Sequence, residues 1–100
     1  MGEHGPPRIH TEAVVLELGA GFGALILHAG AELVGHEVEV ERHDTGKRTH
    51  TEVHERVVNG RTVFAGVFPE LEAGSYRVLG FDLDVEIVSG QVTEVTAPSA

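Results

Sequence analysis

Residues that favour turns interrupt this sequence at short intervals, and their spacing restricts the chain to short strands. Between the interruptions lie eight apolar runs: 13–18, 24–28, 37–42, 49–58, 62–68, 75–79, 84–88 and 91–96. Asn59-Gly60 predicts a two-residue hairpin turn with both residues at positive φ, and Ser89-Gly90 predicts a second one. Seven to eight short strands at this spacing favour an all-β fold, a single antiparallel β-sandwich.

The length of the chain limits how many domains it forms. One hundred residues suffice for one small core, and too few remain for a second domain. Residues 1–10 contain Gly2, Gly5, Pro6 and Pro7, which predict a flexible N-terminal arm. We therefore expect the β-sandwich to occupy residues 11–97, followed by a C-terminal tail at 98–100.

Charge and composition exclude several classes of partner. The chain has 16 acidic and 7 basic side chains, a formal net charge of −9, so it should repel nucleic acid and anionic membranes. It contains no cysteine, which removes disulfides and thiolate chemistry. No segment reaches the ~20 apolar residues of a membrane span, and the N-terminus lacks the regions of a signal peptide. We expect a cytoplasmic protein.

Alternation along the runs predicts which side chains form the core. Apolar residues at every second position face inward in a strand that is half buried. The predicted core residues are Val14, Leu16, Leu18, Leu25, Leu27, Val38, Val40, Val53, Val57, Phe64, Val67, Leu71, Tyr76, Val78, Val85, Ile87, Val92 and Val95. His28 shares the parity of Ala24 and Ile26, and we interpret it as a hydrogen-bonded structural histidine.

Histidine and glutamate alternate in two successive runs, 37–42 and 49–58, which together predict a hairpin. One face carries Glu37, Glu39, Glu41, His50, Glu52 and His54. With Thr45-Gly46 as a two-residue turn, Glu41 lies opposite His50 and Glu37 opposite His54. Imidazole and carboxylate ligands suit Zn²⁺, Ni²⁺ or Cu²⁺, so a metal site is one hypothesis. The alternative is a solvent-exposed face whose ion pairs contribute at most ~1 kcal/mol each.

A glycine-rich stretch suggests a different fold. The segment Val15-Leu-Glu-Leu-Gly-Ala-Gly-Phe-Gly23 resembles the first motif of S-adenosylmethionine-dependent methyltransferases. That resemblance implies a helix over 24–34 and a following strand over 37–41. Parallel βαβ units need ~30 residues each, and 49–96 alternates like strands, so the other interpretation is a tight connection between two core strands.

A second resemblance involves the C-terminal half. The segment Phe68-Pro-Glu-Leu-Glu-Ala-Gly-Ser-Tyr-Arg-Val78, followed by 85–95, is similar to the closing strands of prealbumin-like and collagen-adhesin B-type sandwiches, an Ig-like architecture. The resemblance implies that Leu71 closes the end of the core, Gly74 turns the chain, and Tyr76 buries its ring while its hydroxyl meets a backbone group. It also implies a final hairpin. The whole chain resembles a set of short, uncharacterised actinobacterial proteins.

These observations favour a binding role over catalysis. The chain has no Gly-x-Ser-x-Gly nucleophile motif, and we predict no catalytic residue and no cofactor. We expect a non-enzymatic binding or accessory domain that acts through a protein partner or through self-association as a homodimer. Divalent metal binding through His50, His54, Glu52, Glu41 and Glu37 is the alternative, and a methyltransferase fragment is the third.

Overall fold

The computed structural model describes residues 20–98, which form eight strands and one short 3-10 turn. The strands are β1 (Phe22–Ala29), β2 (Glu37–Arg42), β3 (Arg48–Glu52), β4 (His54–Val58), β5 (Arg61–Glu72), β6 (Gly74–Val78), β7 (Leu83–Ile87) and β8 (Val92–Thr96). The 3-10 turn spans Ala31–Leu33 between β1 and β2. The predicted arm, the run 13–18 and the core positions Val14, Leu16 and Leu18 lie outside the described residues.

The strands form two four-stranded sheets. Sheet I has the order β4-β5-β1-β8 and sheet II the order β3-β2-β6-β7. Between residues 20 and 98 the chain crosses from one sheet to the other four times, after β1, β3, β5 and β7. Side chains from both sheets share one hydrophobic cluster, so the sheets pack as two layers around a common core.

One pairing departs from the expected antiparallel arrangement. Strand β8 runs parallel to β1, with Ala24 opposite Val92 and His28 opposite Thr96. The predicted final hairpin is therefore wrong, because β7 and β8 lie in different sheets. The amide of Gly90, at φ 76°, donates to the Phe22 carbonyl at 2.8 Å. The Ser89-Gly90 turn thus carries the chain from one sheet to the other.

The core lies between the sheets and draws on the alternation of each strand. Leu25, Leu27 and Phe68 from sheet I meet Val40 and Ile87 from sheet II, all at 1% exposure or less. Burying a side chain of this size contributes about 1.5–3 kcal/mol. Among the predicted core residues the structure confirms Leu25, Leu27, Val38, Val40, Val53, Leu71, Tyr76, Val78, Val85 and Ile87, with Phe64 and Val95 partly buried against them.

Three core predictions differ from the structure. Val57 is 39% exposed, because it lies on β4 at the edge of sheet I. Val67 and Val92 are only half buried. Val67 lies opposite Ile26 and Val92 lies opposite Ala24. Because these β1 residues face away from sheet II, Val67 and Val92 face away from the core as well.

Strand β1 begins within the glycine-rich stretch, at Phe22. Residues 24–29 are extended, so the helix over 24–34 implied by the methyltransferase resemblance is wrong. Gly23 packs so closely on the other sheet that a Cβ there would lie 2.5 Å from the Val88 carbonyl oxygen. The glycine is needed for this close approach of β1 to the other layer.

The turn at Asn59-Gly60 and the position of Leu71 agree with the sequence predictions. Asn59 and Gly60 have φ values of 53° and 77° and join β4 to β5 with Val58 opposite Arg61, which confirms the predicted two-residue turn. Leu71 is 4% exposed at the end of β5. A register shift between Gly23 and Leu25 places Leu71 opposite Gly23, where it closes the end of the core.

Val53 and Val57 provide a matched test of the core, because both alternate as core residues in the sequence and only Val53 is fully buried. Val53→Ala removes two buried carbon atoms at ~0.8 kcal/mol each and leaves a cavity, so we expect it to lower the free energy of unfolding by about 2 kcal/mol. Val57→Ala should cost less than about 1 kcal/mol. Urea unfolding followed by far-UV circular dichroism measures both. Equal costs would contradict the placement of these residues.

Candidate functional site

The outward side of sheet II carries a cluster of polar and charged side chains. Because Val38 and Val40 point into the core, alternate residues of β2 point to solvent, and the cross-strand register aligns the other strands with them. We call this surface the acidic face. Its members are Glu37, Glu39, Glu41, Arg48, His50, Glu52, Ser75, Arg77, Asp84 and Glu86.

The acidic face has six carboxylates against two arginines. Arg48 lies 3.8 Å from Glu39 and 3.6 Å from Glu41. Arg77 lies 3.5 Å from Asp84 and also contacts Asp82 in the adjoining turn. Exposed pairs of this kind are worth roughly 0–1 kcal/mol. They leave a surplus of negative charge, whose carboxylates lie on β2, β3 and β7.

The hairpin of β2 and β3 has a register different from the predicted one. Glu39 lies opposite His50 and Glu37 opposite Glu52, so the predicted pairs of Glu41 with His50 and Glu37 with His54 are wrong. The amide of Arg42 donates to the Lys47 carbonyl at 2.9 Å, so the loop has four residues instead of two. Loops of this length are built around a type I turn, and Gly46 at φ 74° ends it. A shift of two residues preserves which side chains share a face.

His54 does not belong to the acidic face. The predicted strand 49–58 divides at Val53, which is fully buried and bonds to the backbone of Gly35 and His36. Beyond it, His54 begins β4 in sheet I, opposite Ala65. The chain changes sheets at this point, so His50 and His54 lie on different layers.

The metal hypothesis has few ligands left on one surface. His50 Nε2 lies 3.9 Å from Glu37 Oε2, and Glu39 is its cross-strand neighbour. Glu41 Oε2 lies 3.6 Å from Arg48 Nε. Glu52 lies opposite Glu37. Within residues 20–98 no group of three or more histidine, aspartate or glutamate side chains converges as a metal centre does.

A second polar cluster lies at the end of the core and is organised by Arg42. This side chain is 17% exposed, and its guanidinium carbon lies 5.7 Å from the centre of the Tyr76 ring. Nη1 donates to the Glu72 carbonyl at 3.2 Å and the Tyr76 hydroxyl at 3.3 Å. Tyr76 in turn donates to the Glu72 carbonyl at 2.7 Å with its ring buried, which confirms the predicted backbone contact.

Gly74 makes room for this cluster. A Cβ at Gly74 would lie 2.8 Å from Arg42 Nη2, and the residue has φ 148°. Besides the predicted role in turning the chain, Gly74 leaves space for the Arg42 guanidinium, a role that the sequence did not indicate. Arg42 was missed as well, because it ends a run of charged residues and resembles any exposed strand residue.

Hydrogen bonding shifts the pKa values of two groups in the cluster. Arg42 Nε donates to Asp44 Oδ1 at 2.7 Å. This bond raises the pKa of Arg42 and lowers the pKa of the Asp44 carboxyl, since it favours the charged form of each. Elsewhere, burial lowers the pKa of Arg56, whose Nε donates to the Ala65 carbonyl at 3.2 Å.

A cleft of about 200 Å³ opens beside Arg42. Its lining residues are Phe22, Arg42, Lys47, Thr49, Glu70, Leu71, Glu72 and Tyr76. Arg42 and Glu72 already contact each other. The cleft is smaller than the ~300 Å³ at which ligand pockets usually begin, so the acidic face is the better candidate site.

His28 also has the hydrogen bond that the sequence predicted for it. Its Nε2 lies 2.8 Å from Glu94 Oε1 on β8, and the side chain is 32% exposed. The contact crosses the parallel pair of β1 and β8. His28 therefore supports this strand pairing.

Comparison with known proteins shows a similarity of fold. Neither the protein-family models nor the curated proteins contain a match to this chain. Among solved structures, the crystal structure of a leucine-rich repeat protein from Bacteroides thetaiotaomicron VPI-5482 is similar, with TM-score 0.50 and 14% sequence identity. The similarity covers 80% of this chain and 12% of that chain. This chain therefore matches only a small part of that longer leucine-rich repeat protein, and at this identity the likeness concerns the fold alone.

None of the helical structure within residues 20–98 is long and apolar enough to cross a membrane.

Asp44 should make stability depend on pH in the acidic range. Its folded-state pKa is lowered, so it stabilises the fold above its unfolded pKa of about 4 and loses that contribution as pH falls through the folded value. We expect Asp44→Asn to lower the urea midpoint at neutral pH, with the difference from wild type shrinking below about pH 4. The exposed Glu55→Gln serves as control. A difference that stays constant down to pH 2 would contradict this role.

The placement of His50 and His54 predicts that they do not bind one ion together. We expect zinc titration of untagged protein, followed by calorimetry, to give the same affinity for His54→Ala as for wild type. The double variant should then match His50→Ala alone. Equal losses in the two single variants would show that the histidines share a metal.

Proposed function

We propose that this chain is a non-enzymatic binding or accessory domain whose acidic face contacts a basic protein partner. The observation that supports this most is the concentration of six carboxylates and two arginines on the outward side of one four-stranded sheet. Complementary charge steers association and selects among partners. A surface of this kind favours lysine- and arginine-rich protein segments.

The exposure of the glutamates favours contact across the face. The Glu37 side chain is 72% exposed and that of Glu39 41%, and Glu52 is exposed as well. Strands lie about 4.8 Å apart and outward side chains repeat every second residue, so the carboxylates form rows. An extended basic segment lying across these rows would meet several carboxylates at once.

Self-association is a second mode of interaction, and it would use a different surface. Two copies of the acidic face repel each other, since both carry the same surplus of negative charge. A homodimer would form more readily through backbone groups of a sheet edge. In sheet II the edge strands are β3 and β7, each of five residues.

We also infer a prealbumin-like or collagen-adhesin B-type arrangement, in a cytoplasmic protein related to the short actinobacterial proteins that its sequence resembles. The buried Leu71, the turn at Gly74 and the Tyr76 hydroxyl bond support this arrangement. The parallel pairing of β1 with β8 is a departure from the final hairpin that the resemblance implies.

A matched pair of triple variants tests the acidic face. Glu37→Gln, Glu39→Gln and Glu52→Gln together remove three carboxylates from it. The control combines Glu32→Gln, Glu55→Gln and Glu70→Gln, three exposed glutamates outside the face. Both variants change the net charge equally. Binding of a fluorescent peptide of alternating lysine and threonine is measured by anisotropy at low and high salt.

We expect the face variant to bind the peptide about tenfold more weakly than the control, because three exposed ion pairs at about 0.5 kcal/mol each correspond to about one order of magnitude. Salt should weaken wild-type binding more than that of the face variant. Equal weakening in both triple variants would show that only net charge matters and would overturn the proposed surface.

A further inference from the structure

Strand β3 lies at an edge of sheet II, and its ladder with β2 determines which of its backbone groups stay free. The Arg42 amide donates to the Lys47 carbonyl just before β3, and the Val53 amide donates to the His36 carbonyl just after it. Bonded and non-bonded pairs alternate along an antiparallel ladder. The odd-numbered residues of β3 therefore bond to β2, and the backbone groups of its even-numbered residues point to the open edge.

The even-numbered residues of β3 are Arg48, His50 and Glu52, whose side chains belong to the acidic face. The Arg48 side chain is 55% exposed and that of His50 64%, and Glu52 is exposed as well. No strand within residues 20–98 pairs with this side of β3. A strand edge with free backbone groups is a template for a further strand.

The order of the charges makes β3 complementary to itself. In an antiparallel pair of two β3 strands, a single register aligns all five residues, with His50 opposite the partner's His50. That register also places Arg48 opposite the partner's Glu52, and Glu52 opposite the partner's Arg48. Opposite charges that face each other across strands are stabilising, and so are threonine pairs such as Thr49 with the partner's Thr51. A second copy of this chain therefore fits the edge.

The two-fold axis of that pair brings together metal ligands that lie apart in one chain. Side chains directly opposite each other have Cβ atoms about 5 Å apart, so two imidazoles can bind one ion between them. Glu39 lies opposite His50 on β2, which gives each histidine a carboxylate on its other side. Imidazole and carboxylate ligands suit tetrahedral Zn²⁺. Within residues 20–98 of one chain no three such side chains converge, and the second copy supplies the additional ligands.

We propose that β3 pairs with β3 of a second copy about a two-fold axis at His50, and that the two His50 side chains share one zinc ion there. An edge of five residues buries little surface, so the strand pair alone forms a weak dimer. Zinc strengthens it because the ion binds the dimer and not the monomer. This inference rests on the self-association proposed above and specifies its surface. It does not require a basic partner on the acidic face.

Sedimentation velocity of the untagged full-length chain, in chelator and in zinc, tests the shared site. We expect zinc to tighten dimerisation of the wild type about tenfold or more, with one zinc per two chains by plasma mass spectrometry. His50→Ala should lose this effect of zinc. The matched control is His54→Ala, an exposed histidine on the other sheet, which should behave as wild type. Zinc bound by the monomer, or a zinc-dependent dimer that persists in His50→Ala, would overturn the proposal.

Charge reversal at the two ends of β3 tests the register. Arg48→Glu alone and Glu52→Arg alone each place like charges opposite each other, so each variant should dimerise about tenfold more weakly than wild type. An equal mixture of the two variants restores opposite charges at both ends, and we expect it to dimerise as wild type does. Far-UV circular dichroism confirms that each variant is folded.

Two results of the charge reversal would contradict this pairing. A mixture that dimerises no better than the single variants would overturn the register. Dimers of wild-type strength in Arg48→Glu alone would show that the chains associate through another surface. That second result would overturn this inference while leaving self-association itself in place.

Discussion

Strand β1 has apolar side chains on both of its faces, and the need to bury both determines how this small domain is organised. Residues Ala24 to Leu27 are all 0% exposed. Leu25 and Leu27 are covered by sheet II, and within residues 20–98 the chain crosses between the two layers after β1, β3, β5 and β7. Burial contributes about 25 cal/mol per Å² of apolar surface, so a strand with both faces covered contributes more per residue than any edge strand. Both sheets are arranged around it.

This arrangement gives the two outward surfaces different compositions. The outward side of sheet I begins with Ala24 and Ile26, which are excluded from water. The outward side chains of sheet II alternate along each strand with buried ones, and they include six carboxylates. Sheet II therefore offers a broad, charged surface, whereas on the outward side of sheet I apolar residues lie beside the hydrogen-bonded pair of His28 and Glu94. The cluster of Arg42, Tyr76 and Asp44 closes one end of the core and fixes the loop that joins β2 to β3.

Local patterns in the sequence were sufficient for most elements but not for their connections. The bounds of β2 matched the predicted run, and the alternation correctly separated Val38 and Val40 from the glutamates. The hairpin register could not be derived, because Thr45-Gly46 is compatible with loops of two or four residues and both keep the same faces. Val53 and Val57 alternate identically, and only the crossing of the chain at Val53 separates them. The parallel pairing of β8 depends on contacts between distant segments, which no local pattern encodes.

Binding of a basic partner to the outward side of sheet II should change the amide chemical shifts of the residues on that side. Isotopically labelled protein is titrated with a lysine-rich peptide, and the chemical-shift change of each amide is measured. We expect the shifts to concentrate in β2, β3, β6 and β7, with little change in β1 and β5. Shifts spread evenly over the exposed acidic residues, or centred on the edge strands β4 and β8, would contradict binding at the acidic face.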